Sequence, residues 1–142
     1  MNPGAEREVA WRREGFVPWP AAGRFVPALV RIFYREAGEG LVFRAVVGPE
    51  HCNGHGIAHG GFLATLADIW LGYNLARRLP AEARFATANL GVDYLRPVAP
   101  GACLESVIDR VRTGSRLCHA AGAIVAAGES VAAMRGTFCR LG

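Results

Sequence analysis

The sequence predicts an α+β domain in which an antiparallel sheet wraps around one long central helix. Two observations support this prediction: six segments rich in β-branched and aromatic residues are joined by short turns, and one long apolar segment has helical periodicity. The order along the chain is two strands, one helix and four strands. Strands joined by tight turns pair antiparallel, and the single helix has to cover one face of the sheet.

Turn-forming residues bound each element. The first two strands, residues 30–34 and 41–47, flank Ala37–Gly40, a natural hairpin turn. The helix is predicted over residues 60–79 and ends before Pro80, because proline cannot continue a helix. The last four strands are predicted at residues 84–95, 102–112, 115–126 and 130–139.

Residues 1–24 show no sustained periodicity, although they include Trp11 and Trp19. We therefore expect a peripheral N-terminal arm with a helical turn, followed by a single domain over residues 25–142. A sheet covered by only one helix leaves surface that needs a partner. A homodimer or a larger assembly is therefore expected.

The composition is that of a globular protein. Apolar residues make up 51% and charged residues 20% of the 142 residues, which excludes a disordered chain and allows one compact core. No apolar stretch reaches the roughly 18 residues of a membrane span, and the charged N-terminus lacks the apolar segment of a secretion signal. A cytoplasmic location is expected. The four scattered cysteines form no CxxC pair, which argues against a disulfide framework or a zinc ribbon.

All sixteen basic residues are arginines, and the formal net charge is +4. The simpler interpretation is an ordinary charged surface. The alternative is that some arginines contact a phosphorylated ligand, because guanidinium groups pair well with phosphate oxygens. The candidates are Arg77, Arg78, Arg96, Arg110, Arg112 and Arg116. No basic run alternates with aromatic residues, so a nucleic-acid partner is not expected.

The long helix has two unlike faces when its residues are placed at about 100° intervals. The apolar face predicts contact with the core and consists of Phe62, Leu63, Leu66, Ile69, Trp70 and Tyr73. The opposite stripe is small except for one carboxylate and consists of Gly61, Ala64, Thr65, Asp68 and Gly72. Small residues let a ligand or another backbone approach closely. Asp68 is therefore a solvated aspartate, a structural acceptor, or a general base or nucleophile, and its apolar neighbours favour the catalytic interpretation.

A glycine-rich loop, residues 53–61, precedes this helix. Its glycines allow backbone amides to face a ligand at the point where a helix leaves its first N–H groups unpaired. A carbonyl held there could accept hydrogen bonds from such an amide and from the side chain of Asn53. With Asp68 two turns further along, the arrangement suits acyl transfer.

Metal binding is the competing interpretation of the loop, because His51, Cys52, His55 and His59 include a His-x3-His spacing. That spacing brings both rings together only in a helix, and the intervening glycines disfavour one. No metal or other cofactor is predicted. His59 is interpreted as a hydrogen-bonded anchor of the loop.

Taken together, these residues resemble the hotdog-fold thioesterases, specifically the PaaI-like acyl-CoA group. The resemblance depends on Asn53, on the run His59-Gly60-Gly61, on Asp68 nine residues after His59, on Thr87 in the next strand, and on residues 93–97, which read DYLRP. Motif spacing and strand order agree from about residue 25 to residue 140. A related group, the hydratases, has a histidine five residues after the aspartate; Tyr73 occupies that position here, so enoyl-CoA hydration is disfavoured.

The resemblance implies edge-to-edge dimers, often paired into homotetramers, with active sites at the subunit interface. It implies that Asp68 activates water or attacks the thioester, that the Gly60 amide and Asn53 polarise the carbonyl, and that Thr87 helps to place the water. We expect His59, Gly61 and Thr65 to contact the substrate. The prediction is an acyl-CoA thioesterase, and the main alternative is a non-catalytic module that binds or senses acyl-CoA.

Overall fold

The computed structural model describes residues 3–142. The helices are α1 (Pro3–Arg13), α2 (Phe25–Leu29) and α3 (Gly60–Ala76), and a short 3-10 helix spans Pro49–His51. The strands are β1 (Val17–Pro18), β2 (Ile32–Ala37), β3 (Gly40–Val46), β4 (Arg84–Tyr94), β5 (Cys103–Arg112), β6 (Leu117–Ala126) and β7 (Glu129–Leu141). They form one antiparallel sheet in the order β1-β2-β3-β5-β6-β7-β4.

This architecture confirms the predicted α+β class, the six predicted strands and the single long helix. Helix α3 contacts β3, β4, β5, β6 and β7, so the sheet wraps around it. The helix ends at Ala76, three residues before the predicted end, and Arg77 to Leu79 form a turn ahead of Pro80. Every helix within residues 3–142 is too short or too polar to span a bilayer.

The predicted core face of α3 is buried except for Tyr73, which is only partly covered. Ala67, Leu71 and Leu75 are fully buried as well, so the core surrounds more of the helix than the apolar arc alone indicated. The stripe of small residues is the least covered part of α3, apart from the buried Gly72. The helix therefore offers one open side.

The N-terminal arm differs from its prediction. Helix α1 is 11 residues long instead of a helical turn, and the arm is not peripheral. Trp11 and Phe16 are buried against Phe33, on the face of the sheet opposite α3. The chain then pairs with β2 through β1, and Trp19 reaches the α3 side, where its ring lies 4.5 Å from that of Tyr73. A domain boundary at residues 24/25 stays a prediction.

Arg44 of β3 links the N-terminal arm to the sheet. The Arg44 guanidinium lies 4.1 Å from the ring of Phe16 and pairs with Glu14 at 2.9 Å and with Glu105 at 2.6 Å. Partial burial lowers the pKa of Arg44, but the hydrogen bonds that Arg44 donates to Glu105 and Glu14 outweigh burial and raise the pKa overall. Arg44 thus stays charged and joins the arm to β3 and β5.

Strand β4 contains a bulge that changes the direction in which Thr87 points. Regular alternation would place Thr87 on the same face as Asn89. The register instead shifts between them: Thr87 lies opposite the buried Phe138, and Asn89 lies opposite the outward-facing Thr137. The extra residue in the bulge turns Thr87 toward α3.

Asn74 of α3 completes the hydrogen bonding of β3. Because β3 pairs with β5 only from Arg44 onward, the earlier backbone groups on that edge need other partners. The buried Asn74 side chain accepts from the Leu41 amide at 2.9 Å and donates to the Leu41 carbonyl at 3.2 Å. The core helix and the sheet are therefore joined by polar contacts as well as by packing.

We expect Asn74→Ala to lower the free energy of unfolding by about 2–4 kcal/mol, because it leaves two buried backbone groups unpaired and opens a small cavity. Urea denaturation followed by circular dichroism measures the change. The matched control is Asn89→Ala on the exposed outer face, with an expected change within about 0.5 kcal/mol. Equal stability of the two variants would contradict the role given to Asn74.

Candidate active site

The carboxylate of Asp68 is held by the hydroxyl group of Thr87. Thr87 Oγ1 donates to Asp68 Oδ1 at 2.6 Å, and the bulge in β4 makes this contact possible. Asp68 is partly buried on the open side of α3. Since Oδ1 is occupied, Oδ2 remains available to accept a proton or to attack an electrophile. The structure thus brings together two of the predicted site residues.

This pair opens onto a groove of about 500 Å³ between α3, β4 and the N-terminal arm. Its walls are mainly aromatic and its floor along α3 is made of small residues, Gly72 and Ala76. The aromatic side chains are Trp19, Tyr73, Phe85 and Phe138. A groove with apolar walls and a carboxylate at its edge suits an apolar group attached to a reactive carbonyl.

The arm supplies Trp19, Ala21 and Ala22 to this groove, a contribution that the sequence analysis missed. Trp19 is packed edge-on against Tyr34 and Phe43 as well as Tyr73. The only sequence signal was an aromatic residue between two prolines in a segment without periodicity.

The loop before α3 is held by the side chain of Asn53. Asn53 Oδ1 accepts from the His55 amide at 2.9 Å, and the Asn53 amide donates to the Ile57 carbonyl at 2.9 Å. These hydrogen bonds identify the side-chain atom that faces the loop as the oxygen, Oδ1, and not the nitrogen, Nδ2. Within residues 3–142 the Nδ2 group donates no hydrogen bond, so it is available to polarise a carbonyl.

His59 organises the first turn of α3. Its Nδ1 accepts from the Gly61 amide at 2.8 Å, and its carbonyl accepts from the amides of Phe62 and Leu63. The peptide between His59 and Gly60 is therefore fixed. Within residues 3–142 the Gly60 N–H meets no acceptor and points away from the helix, so it is available to a ligand.

The predicted substrate contacts of His59, Gly61 and Thr65 stay predictions. The Gly61 amide is already used by His59, and the Thr65 hydroxyl donates to the Gly61 carbonyl at 2.8 Å. These groups stabilise the helix start.

Tyr94, in the DYLRP run, contacts the start of α3, and the sequence alone did not predict this contact. Its hydroxyl donates to the Gly60 carbonyl at 2.7 Å, and a Cβ atom at position 60 would lie 3.2 Å from its ring. Glycine at position 60 thus allows the tyrosine to approach. Tyr94 also lines a second groove, of about 360 Å³, together with Asn53, Gly60 and Arg96.

We expect Tyr94→Phe to lower kcat by about tenfold, because it removes a hydrogen bond that holds the Gly60–Gly61 peptide, which adjoins the peptide carrying the Gly60 N–H. KM should change less than kcat if Tyr94 acts only by positioning this peptide. Steady-state kinetics separate the two constants. The control is Tyr34→Phe, whose hydroxyl makes no hydrogen bond within residues 3–142; a drop of equal size there would contradict the role of Tyr94.

The four predicted catalytic residues form two separate half-sites within one chain. Asp68 and Thr87 line the first groove, whereas Asn53 and Gly60 line the second. Eight residues of helix separate Gly60 from Asp68, which corresponds to roughly 12 Å along the axis. One small carbonyl group cannot contact both half-sites of the same chain.

The histidines have structural contacts that bear on the metal interpretation. His51 is buried, accepts from the Gly48 amide through Nδ1 at 2.9 Å, and donates through Nε2 to the Leu29 carbonyl at 2.6 Å. Its ring also stacks on Phe62 at 4.1 Å. Among residues 3–142, no three His, Cys, Asp or Glu side chains converge as metal ligands.

Comparison with known proteins identifies the family. A sequence model of the thioesterase superfamily matches residues 55–133, which include Gly60, Asp68 and Thr87. The chain belongs to this superfamily. This thioesterase is 32% identical over 126 residues to a Pseudomonas aeruginosa protein provisionally named an esterase, covering 88% of this chain and 94% of the relative.

Solved structures agree with this assignment. The TT0310 protein of Thermus thermophilus has a TM-score of 0.73 and 31% identity, covering 85% of this chain and all of its own. A single-residue mutant of the phenylacetic acid degradation protein PaaI from the same organism has a TM-score of 0.71 and 32% identity. The match covers 82% of this chain and 98% of the PaaI chain. The BH2602 protein of Bacillus halodurans, solved with CoA, has a TM-score of 0.65 and 31% identity. The match covers 70% of this chain and 66% of the BH2602 chain. The thioesterase therefore has the hotdog fold and is a PaaI-like thioester hydrolase.

Proposed function

We propose that this thioesterase hydrolyses acyl-CoA to a carboxylic acid and free CoA. The observation that supports this most strongly is the Asp68–Thr87 pair at the edge of an apolar groove, where a thioester carbonyl can meet a carboxylate. The CoA part of the proposal is supported by the Bacillus halodurans structure, which was solved with CoA.

The acyl group lies in the groove beside Gly72 and Ala76. From Asp68 to Ala76 the helix rises by roughly 12 Å, which accommodates an acyl group of moderate length. The aromatic walls and the absence of charged side chains other than Asp68 favour an apolar acyl group. Trp19 and the two alanines of the arm close one side.

The chemistry breaks the bond between the carbonyl carbon and sulfur. Asp68 Oδ2 either takes a proton from a water that attacks the carbonyl carbon, or attacks that carbon itself to give an anhydride that water then hydrolyses. The oxyanion accepts hydrogen bonds from the Gly60 amide and Asn53 Nδ2. Thr87 orients the carboxylate, and the sulfur leaves as a thiolate that takes up a proton.

A second copy of the chain completes the site. Strand β4 is an edge strand of 11 residues, and such an edge is open to pairing. Its Thr87 end lies in the acid half-site and its Tyr94 end lies in the amide half-site. Antiparallel pairing of two β4 strands about a two-fold axis would bring the Thr87 end of one copy beside the Tyr94 end of the other. We propose a homodimer formed in this way, which could pair again into a homotetramer.

Release of free thiol from a panel of acyl-CoAs of increasing length tests the proposed function. We expect turnover that rises with acyl length and then falls once the groove is filled, and the same rates with and without a chelator. Saturable CoA binding without thiol release would instead identify a non-catalytic binding module. Hydrolysis of other thioesters but of no acyl-CoA would contradict the CoA part of the proposal.

A further inference from the structure

Another concave surface lies on the outer face of the sheet, away from α3. Helix α1 covers this face at β2 and β3, whereas the part formed by β5, β6, β7 and β4 carries a groove of about 450 Å³. The polar side chains that line it are Asn89, Arg110, Arg112, His119, Arg135 and Thr137. Among residues 3–142, no carboxylate lines this groove.

The strand registers explain why these side chains converge. Arg112 lies opposite His119, His119 opposite Thr137, and Thr137 opposite Asn89. In the next row, Arg110 and Arg135 lie on either side of Ala121. A bulge between Ile108 and Arg110 shifts the alternation of β5, so that both of its arginines face outward while Val111 packs against the core.

Small residues make this surface concave. Ala121 lies between the arginines, and Gly91 lets the Arg135 guanidinium rest against the backbone of β4: a Cβ atom at position 91 would be 2.7 Å from Arg135 Cζ. Arg135 pairs with Asp93 at 2.9 Å at the rim. Arg110 and Arg112 pair with no carboxylate within residues 3–142.

The arginines of this groove carry more positive charge than the neighbouring carboxylates balance. Three guanidinium groups share one carboxylate, and like charges on neighbouring strands repel one another. A guanidinium presents parallel N–H donors that match phosphate oxygens, and the Thr137 hydroxyl and Asn89 amide add neutral donors. An anion with several oxygens satisfies these groups together.

We propose that this groove binds a phosphate group. The phosphate belongs either to the nucleotide part of CoA held by a neighbouring chain or to a separate phosphorylated metabolite, since both present the same oxygens. The groove lies on the opposite face of the sheet from the Asp68–Thr87 half-site, so this binding site does not depend on the proposed hydrolysis.

Calorimetric titration with inorganic phosphate and with adenosine 3′,5′-bisphosphate tests the site. We expect saturable binding by the full chain and a loss of at least about tenfold in affinity for the Arg110→Gln/Arg112→Gln double variant. The matched control, Arg13→Gln/Arg24→Gln, removes the same charge from exposed positions outside the groove and should keep the affinity. If the double variant does not fold, either single variant serves in its place.

Steady-state kinetics distinguish the two possible sources of the phosphate. If the phosphate belongs to CoA, the double variant raises KM for an acyl-CoA but not for the matching acyl-pantetheine, which has no phosphate. If it belongs to a separate metabolite, phosphate affinity falls while both KM values stay the same. Absence of saturable phosphate binding by the unmodified chain, or an equal loss of affinity in the control, would overturn the proposal, whatever the outcome for hydrolysis.

Discussion

Replacing Asp68 by asparagine is expected to lower kcat by about 10²- to 10⁴-fold, the usual contribution of a positioned general base. The amide is similar in size and can still accept the hydrogen bond from Thr87, so the groove and the fold should be unchanged. KM should therefore stay close to that of the unmodified enzyme. Release of thiol from an acyl-CoA, measured under steady-state conditions, gives both constants.

The matched control for this variant is Asp109→Asn, an exposed aspartate on β5 that lines neither half-site. Its kcat should stay within about twofold of the unmodified value, because surface changes away from the site have small effects. A pair of variants at position 87 adds a further check: Thr87→Ser keeps the hydroxyl donor and Thr87→Val removes it. If Asp68→Asn keeps full turnover, Asp68 is neither base nor nucleophile.

Replacing Asn53 by aspartate is expected to lower kcat by about 10²- to 10³-fold, the effect of losing one hydrogen-bond donor to an oxyanion. This variant keeps an oxygen that can accept from the His55 amide, so the loop should hold its conformation. It removes the Nδ2 donor and places negative charge near the developing oxyanion. Kinetics and thermal unfolding together show whether only catalysis is affected.

Asn53→Ala tests whether the Asn53 side chain also stabilises the loop. It removes the oxygen that accepts from the His55 amide as well as the Nδ2 donor. We expect it to lose stability in addition to turnover. His55→Ala is the control, since the exposed His55 ring makes no hydrogen bond within residues 3–142 while its backbone amide is retained. If Asn53→Asp were as active as His55→Ala, the side chain of Asn53 would have no part in polarising the carbonyl.

Much of the fold could be predicted because each strand is bounded by glycine or proline and the long helix ends near a proline. Helix α1 could not, since Trp11 is its only buried residue and its other apolar residues form no continuous apolar face. Its position depends on Phe33 and Arg44, which lie far away in sequence. Tertiary contacts of this kind leave no periodic signal in the arm itself.

The orientation of the Thr87 side chain also could not be predicted from the sequence. Regular alternation along β4 would put Thr87 on the same face as Asn89, but the bulge between them turns Thr87 toward α3. A bulge depends on pairing with β7, which a single strand's sequence does not display. The family resemblance implied that Asp68 and Thr87 belong to one site, and the structure shows the bulge that brings the two side chains into contact.

The sequence and the family resemblance could indicate the four candidate catalytic residues but not how they meet. Asp68 and Asn53 lie in one short stretch of sequence, yet they face different grooves. The acyl groove likewise takes one wall from Trp19, which is distant in sequence from both. Such features depend on the arrangement of elements in space.

Mixing two inactive variants tests most directly whether each active site is shared between two copies. Asp68→Asn and Asn53→Asp chains, unfolded together and refolded, should recover about a quarter of the unmodified turnover, because half of the dimers are mixed and each mixed dimer rebuilds one of its two sites. Different affinity tags on the two chains confirm that mixed dimers have formed. If mixed dimers are present but turnover does not exceed that of the separate variants, the acid and the amides do not come from different copies.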